Sequence, residues 1–283
     1  MQIALRSVSL SLIMVVAGAC SVGFQQGPVP VTVERSAQHT IQSVTVGDMY
    51  VIQVRLPASY AASEKKYQVL YVLDGDKCFG LAAGTAEWLA WAKEAPELIV
   101  VGVGYGPGAD WWQKRSRDFT PTRDTTKLWG EWPMAGGASR FQDFLEWELF
   151  PFVQGHYRVR ADDRGVAGLS FGGLFGAVSL FTRPALFQRY VLIGPALAWD
   201  NRRLWQYEAE YRSASRALTA TVFTGIGDLE NDTFLGPWMD FNRLIEERHY
   251  DGLRWITQRY PEESHISVLP GALSRAIRRI YQQ

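Results

Sequence analysis

The run Gly168-Leu169-Ser170-Phe171-Gly172-Gly173 constrains this chain more than any other stretch. A short strand-like segment, Arg164–Gly168, leads into it, and an apolar helix-like segment, Gly172–Phe181, leaves it. A chain passing from strand to helix through one serine has the sharp turn of a nucleophile elbow. Glycines two before and two after the serine are expected, because a Cβ in so tight a turn would strike a neighbouring strand or helix.

The rest of the chain extends the pattern. Ile41–Val46 and Met49–Leu56 are strand-like and flank Gly47-Asp48 as a hairpin. Tyr67–Leu73 and Leu98–Val103 are continuous apolar runs, the kind buried on both faces of a parallel sheet. Tyr190–Ile193, Ala220–Gly225 and Leu253–Thr257 are further strands, and Pro237–Arg248 and Leu273–Tyr281 further helices. Ser139-Arg140-Phe141-Gln142 has capping-box form, and Phe141, Phe144, Leu145, Leu149 and Val153 follow at helical spacing. This alternation predicts an α/β fold: a mostly parallel central sheet flanked by helices, with an antiparallel start. The stretch from Gly104 to Gly137 has little strand or helix character and carries Trp111, Trp112, Trp129 and Trp132. Loops of this length serve as lids or substrate walls, or cover a small apolar core of their own.

Basic and acidic side chains balance at 29 each, with no Lys/Arg block, so the chain lacks the electrostatic footprint of a nucleic-acid binder. Its 283 residues, 47% hydrophobic, suffice for one large domain. The apolar stretch from about Val8 to Ala19 is shorter than the ~20 residues of a membrane span. It ends in Ala17-Gly18-Ala19, a small-x-small cleavage pattern. Residues 1–19 therefore read as a signal peptide, 20–39 as a linker and 40–283 as the domain carrying the site. Cys20 stands where a lipoprotein signal would place its lipid, the one membrane attachment expected. The other cysteine, Cys78, then has no intrachain partner and reads as a small buried hydrophobe.

A serine hydroxyl needs a base, and histidine serves best near neutral pH. In elbow folds the chain order is serine, acid, histidine. Two histidines follow Ser170: His249 ends a predicted helix, whereas His265 lies in the loop between the last strand and the last helix. His265 is the expected base. The acid should lie after strand Ala220–Gly225, where Asp228, Glu230 and Asp232 all qualify. The oxyanion requires two backbone N–H groups, expected from Phe171 and from Asp76 in Asp74-Gly75-Asp76.

Tyr71–Asp76, Arg115–Pro121, Gly136-Gly137-Ala138, Gly168–Gly173, Gly227–Glu230 and His265 follow one another in a familiar order. Over residues 40–283 this resembles the α/β-hydrolase esterase family that includes the periplasmic esterases of enterobactin- and salmochelin-type trilactone siderophores. The resemblance implies a small-molecule ester substrate, a ferric siderophore among the candidates, and no cofactor or metal. It implies Ser170 as nucleophile, His265 as base, Arg117 as a contact for a catecholate and Glu230 as the best match to the family's Gly-x-x-Glu. Some members work as a Ser–His dyad. Broad-specificity carboxylesterases share this site, and acyltransferases resembling the mycolyltransferases share the Leu-Asp-Gly turn. A non-catalytic binder on the same scaffold is the remaining alternative. Gly102-Val103-Gly104-Tyr105-Gly106 lacks the third glycine of a dinucleotide loop, and no zinc-ligand spacing is present.

Overall fold

The computed structural model describes residues 31–282. Their strands are β1 (Ser36–Gln42), β2 (Met49–Arg55), β3 (Tyr67–Leu73), β4 (Leu98–Gly104), β5 (Val159–Leu169), β6 (Arg189–Ile193), β7 (Ala217–Gly227) and β8 (Asp251–Tyr260). They form one sheet in the order β1-β2-β4-β3-β5-β6-β7-β8. The first two pairings, β1–β2 and β2–β4, are antiparallel, and every other pairing is parallel. This is the α/β-hydrolase arrangement that the alternating pattern predicts.

Side chains alternate across a strand, so a strand between two helical layers is apolar along most of its length. On β3, Val69, Tyr71 and Leu73 enter one core while Leu70 and Val72 enter the other. Ile99, Val101 and Val103 of β4 alternate with Leu98 and Val100 in the same way. Two helices cover the second core: α1 (Gly75–Trp91) with Phe79, Ala82 and Ala86, and α8 (Val268–Tyr281) with Leu273, Ile277 and Ile280. The first core lies under α3 (Ala138–Phe144), α4 (Phe150–His156), α5 (Phe171–Thr182) and α7 (Asp232–Arg248). Each such Leu, Ile, Val or Phe contributes about 1.5–3 kcal/mol on full burial.

Several boundaries differ from the sequence-based expectation. The sheet takes Ser36–His39, expected in the linker, into β1, because an edge strand needs only backbone pairing with Arg55–Ile52 and no apolar run. The hairpin turn runs from Ser43 to Asp48 and is held by Glu148, which accepts hydrogen bonds from Ser43 Oγ, Val44 N and Thr45 N. The expected capping box at Ser139 does not form. Helix α3 starts after Gly137 with no side-chain cap, since the N–H groups of Gly137 and Ala138 donate to the Arg117 and Thr120 carbonyls. Helix α7 begins five residues before Pro237, where Asn231 Oδ1 accepts from Thr233 N. The stretch from Gly104 to Gly137 contains a helix, α2 (Trp111–Phe119), capped by Asp110. A sixth helix in chain order, α6 (Trp199–Ala214), also went unread. The expected signal peptide and Cys20 lie outside the described residues.

Candidate active site

Ser170 sits between β5 and α5 with φ 61° and ψ −116°, a conformation costly for a residue with a side chain. A Cβ on Gly168 would run into the backbone of Gly172. One on Gly172 would meet Leu73 Cβ at 3.6 Å, ordinary contact, so the clash expected there does not exist. The tighter position is Gly173, 3.0 Å from Pro195 Cβ, because the helix turns that face toward the chain leaving β6. The elbow is lashed to β6: Ser170 N donates to Ile193 O (2.9 Å), and Ser170 O accepts from Ala196 N (3.2 Å).

The next residue of that strand end, Gly194, has φ +45° and makes room for the acid and the base. A Cβ there would lie 2.8 Å from Glu230 Oε1 and 3.2 Å from His265 Nδ1. His265 Nδ1 lies 2.9 and 3.0 Å from the two Glu230 oxygens, which leaves Nε2 for another partner. The Glu230 side chain is 1% exposed and His265 27%, and Phe234 covers the imidazole at 4.3 Å between ring centroids. The two loops are zipped by Asp228 N donating to Tyr260 O and Leu229 N to Glu263 O. Gly227 is a glycine because a Cβ would strike Glu263 O, which accounts for the start of Gly-x-x-Glu. Asp228 pairs instead with Arg259 at 2.7 Å, Asp232 is an exposed first residue of α7, and His249 is the exposed C-cap of that helix.

Both expected oxyanion donors open helices. Phe171 is the first residue of α5 and Asp76 the second of α1, where N–H groups have no partner within the helix. The Asp76 carboxylate accepts from Tyr105 N (2.6 Å) and Gly106 N (3.0 Å), which fixes its turn to the end of β4.

The arginines of α2 part company. Arg117 donates to Asp118, Asp48 and the Tyr50 hydroxyl through four of its five N–H groups. It lines an open cavity of about 480 Å³ with Arg123, Met134, Gly136 and Arg140. No contact joins it to Ser170 or His265 among the described residues. Arg115, which sequence reasoning passed over, lies against the elbow, its guanidinium 5.2 Å from the Phe171 ring. No local signal separates the two, since the stretch carrying them reads as loop. Aromatic rings surround the residue after the serine: Trp132, Trp129 and Trp199 pack edge-on to Phe171 at 5.7, 6.1 and 5.0 Å, and Trp129 reaches Phe234 at 4.8 Å. Trp112, 56% exposed, extends this wall from Trp132. Cys78 is half-buried, and burial pushes its thiol up to about 12.

A sheet of this topology, with a strained serine after β5 and a carboxylate–histidine pair at the end of the neighbouring β6, is that of a serine hydrolase. Residues 43–242 match the Esterase family, described as "Putative esterase", and the chain belongs to that family. It is 30% identical over 226 residues to the ferri-bacillibactin esterase BesA of Bacillus subtilis, covering 75% of this chain and 78% of that one. The BES protein from Bacillus cereus superposes with a TM-score of 0.81 at 28% identity, covering 92% of this chain and 100% of that one. An IroE-like serine hydrolase from Shewanella oneidensis superposes with a TM-score of 0.79 at 26% identity, covering 87% and 80%.

Proposed function

We propose that this protein is an exported serine esterase that opens the ester bonds of a catecholate trilactone siderophore. The observation that carries the reading is the glycine gap at Gly194, where the Glu230–His265 pair meets the strand end that holds the Ser170 elbow. In this reading His265 Nε2 takes the Ser170 proton as Oγ attacks the ester carbonyl, and Glu230 orients the imidazole and stabilises its charged form. The Phe171 and Asp76 N–H groups receive the oxyanion. Collapse breaks the ester C–O bond, His265 returns the proton to the departing alcohol, and water then releases the acyl group from Ser170 by the same steps.

Substrate class rests on two supports. BesA, by name, acts on ferri-bacillibactin. The ring wall of Trp112, Trp132, Trp129 and Phe234 offers faces and edges for flat catechol groups, and Arg123 and Arg140 line the recess beside Arg117, whose own charge is met by Asp48 and Asp118, as partners for their anionic oxygens. Export, to the periplasm or beyond the cell, rests on the apolar segment ending at Ala17-Gly18-Ala19, with Cys20 as the point of attachment only if it is lipidated, and cell fractionation with a C-terminal tag tests it.

The deciding assay compares hydrolysis of ferric and iron-free enterobactin with that of short-chain aryl esters. Trilactones should be opened with the higher kcat/KM, and Ser170→Ala should lose roughly 10⁴–10⁶-fold in turnover with its fold intact. Equal activity on both classes would remove the siderophore reading, and a fully active Ser170→Ala would remove the serine.

A further inference from the structure

We infer that Arg115 is a positioning residue for the oxyanion hole: it ties the turn after β3 to the turn after β5, so that the Asp76 and Phe171 N–H groups address one oxygen. The inference rests on the proposed role of Ser170 and its two donors.

It starts from a misdirected cap. Asp74 occupies the N-cap of α1, where an aspartate ordinarily accepts from its own helix, yet its side chain makes no such bond. Its backbone is left-handed (φ 54°, ψ 44°), and the residue is 3% exposed. Both carboxylate oxygens are taken by Arg115, Nε to Oδ1 and Nη2 to Oδ2, each at 2.9 Å. The same Nη2 lies 3.3 Å from Leu169 O, one residue before the nucleophile. One planar group thus holds the turn that carries Asp76 and the last peptide of the strand that delivers Ser170.

The surroundings leave the guanidinium little freedom. Arg115 is 4% exposed and packs against Trp111 at 4.8 Å and Phe119 at 5.6 Å, besides Phe171. On its far side the Asp74–Asp76 turn is held by Asp76 bonding Tyr105 N and Gly106 N. Gly75 fits between because a Cβ would lie 2.7 Å from Val103 N. The turn is therefore clamped from two directions, and only the Arg115 clamp reaches the elbow. A buried ion pair adds little net stability over apolar side chains of similar volume, so its contribution here is geometry. Geometry matters because oxyanion donors act only within about 2.7–3.1 Å of the developing charge. A lysine would keep the charge but lose the fork that bonds Asp74 twice and Leu169 once.

The test uses Arg115→Lys and Asp74→Asn in the full chain. Competent serines are counted by end-point titration with a fluorophosphonate, and kcat for a short-chain aryl ester is expressed per titrated serine. Each variant should lose about 10²-fold in kcat, the cost of one displaced donor, with KM within about threefold. Affinity for an aryl boronic acid, which presents an oxyanion, should fall in parallel, while that for the unreactive amide analogue stays level. A merely structural role would lower melting temperature or the titrated fraction and leave kcat per serine unchanged, which overturns the inference. If Arg115→Lys does not fold, Asp74→Asn decides by the same measure. An inert Ser170→Ala beside a fully active Arg115→Lys would sink the positioning role alone, whereas an active Ser170→Ala would sink the serine reading beneath it.

Discussion

Gly194 has no side chain, and Glu230 and His265 stand in the space that one would occupy. That single absence decides how the acid acts. Glu230 is shut away from solvent and presents both oxygens to Nδ1 of the imidazole, so Nδ1 carries the proton and Nε2 is left free, as the proposed base requires. Glutamine at this position would offer an N–H₂ group to Nδ1 and favour the other tautomer, with Nε2 protonated and unable to accept from the serine. Glu230→Gln should therefore lose about 10³–10⁴-fold in kcat at nearly constant KM. A variant retaining more than about a tenth of wild-type turnover would identify the site as a Ser–His dyad. At this scale the strained turn at Ser170 and the contact between Glu230 and His265 were legible because each residue sits at a fixed place in the strand order. Gly194 and Arg115 were not. Two residues apart on a helix, Arg115 and Arg117 point about 200° apart, and only the docked helix reveals which one faces the elbow.

The wall over the site depends on how α6 begins. Asp200, Asn201 and Arg202 have φ of 46°, 54° and 62°, a left-handed turn that costs about 1–2 kcal/mol per residue with a side chain. Contacts to the preceding long loop offset it. Asp200 accepts from Thr122 Oγ1 at 2.7 Å, Thr125 Oγ1 at 2.8 Å and Thr125 N at 3.1 Å. Trp199, 1% exposed, donates from its indole to Thr122 O and packs on Phe171. Asp200 is thus the strap that holds residues 122–125 beside the elbow. Asp200→Ala should speed amide hydrogen exchange across residues 120–132 and raise KM for a bulky aryl ester several-fold. kcat for a small acetate ester should change by less than about threefold, since no catalytic group is touched. Unchanged exchange in that loop would show that the strap is not needed. The sequence conceals this element because a left-handed run carries no periodicity. By contrast, β3 was legible end to end and β4 to within one residue, because their apolar side chains alternate between the two cores, with only Gln68 and the two glycines of β4 outside them. Helix α1 escaped because its buried face is largely small: Ala82, Ala83 and Ala86 beside Phe79.

Across the whole molecule, equal numbers of acidic and basic groups conceal an asymmetry in how the carboxylates are held. Burial pushes Asp48, Glu97, Glu148, Asp163 and Asp200 toward the neutral form, yet hydrogen bonds outweigh it and leave each below its ordinary range. The donors are Lys114 and Arg117 on Asp48, Lys65 and Ser59 on Glu97, Thr45 and Ser43 on Glu148, Arg189 and Gln68 on Asp163, and Thr122 and Thr125 on Asp200. Asp118 runs the other way: burial outweighs its bonds from Arg117 and Tyr50 and raises it. For the five lowered groups the unfolded chain binds protons more readily than the folded one. Their stabilisation is therefore complete above the unfolded value of about 4 and is lost as pH falls below it. Asp118 opposes this, since its neutral form is the one the fold prefers, but it is one group against five. The five are spread from the β1–β2 turn to the start of α6, so their protonation loosens the whole domain and not one corner of it. The urea midpoint should stay level between pH 8 and about 5, then fall steadily toward pH 3 in a single transition. A midpoint unchanged at pH 3.5, or a second transition appearing there, would show that these carboxylates do not set the stability of the fold.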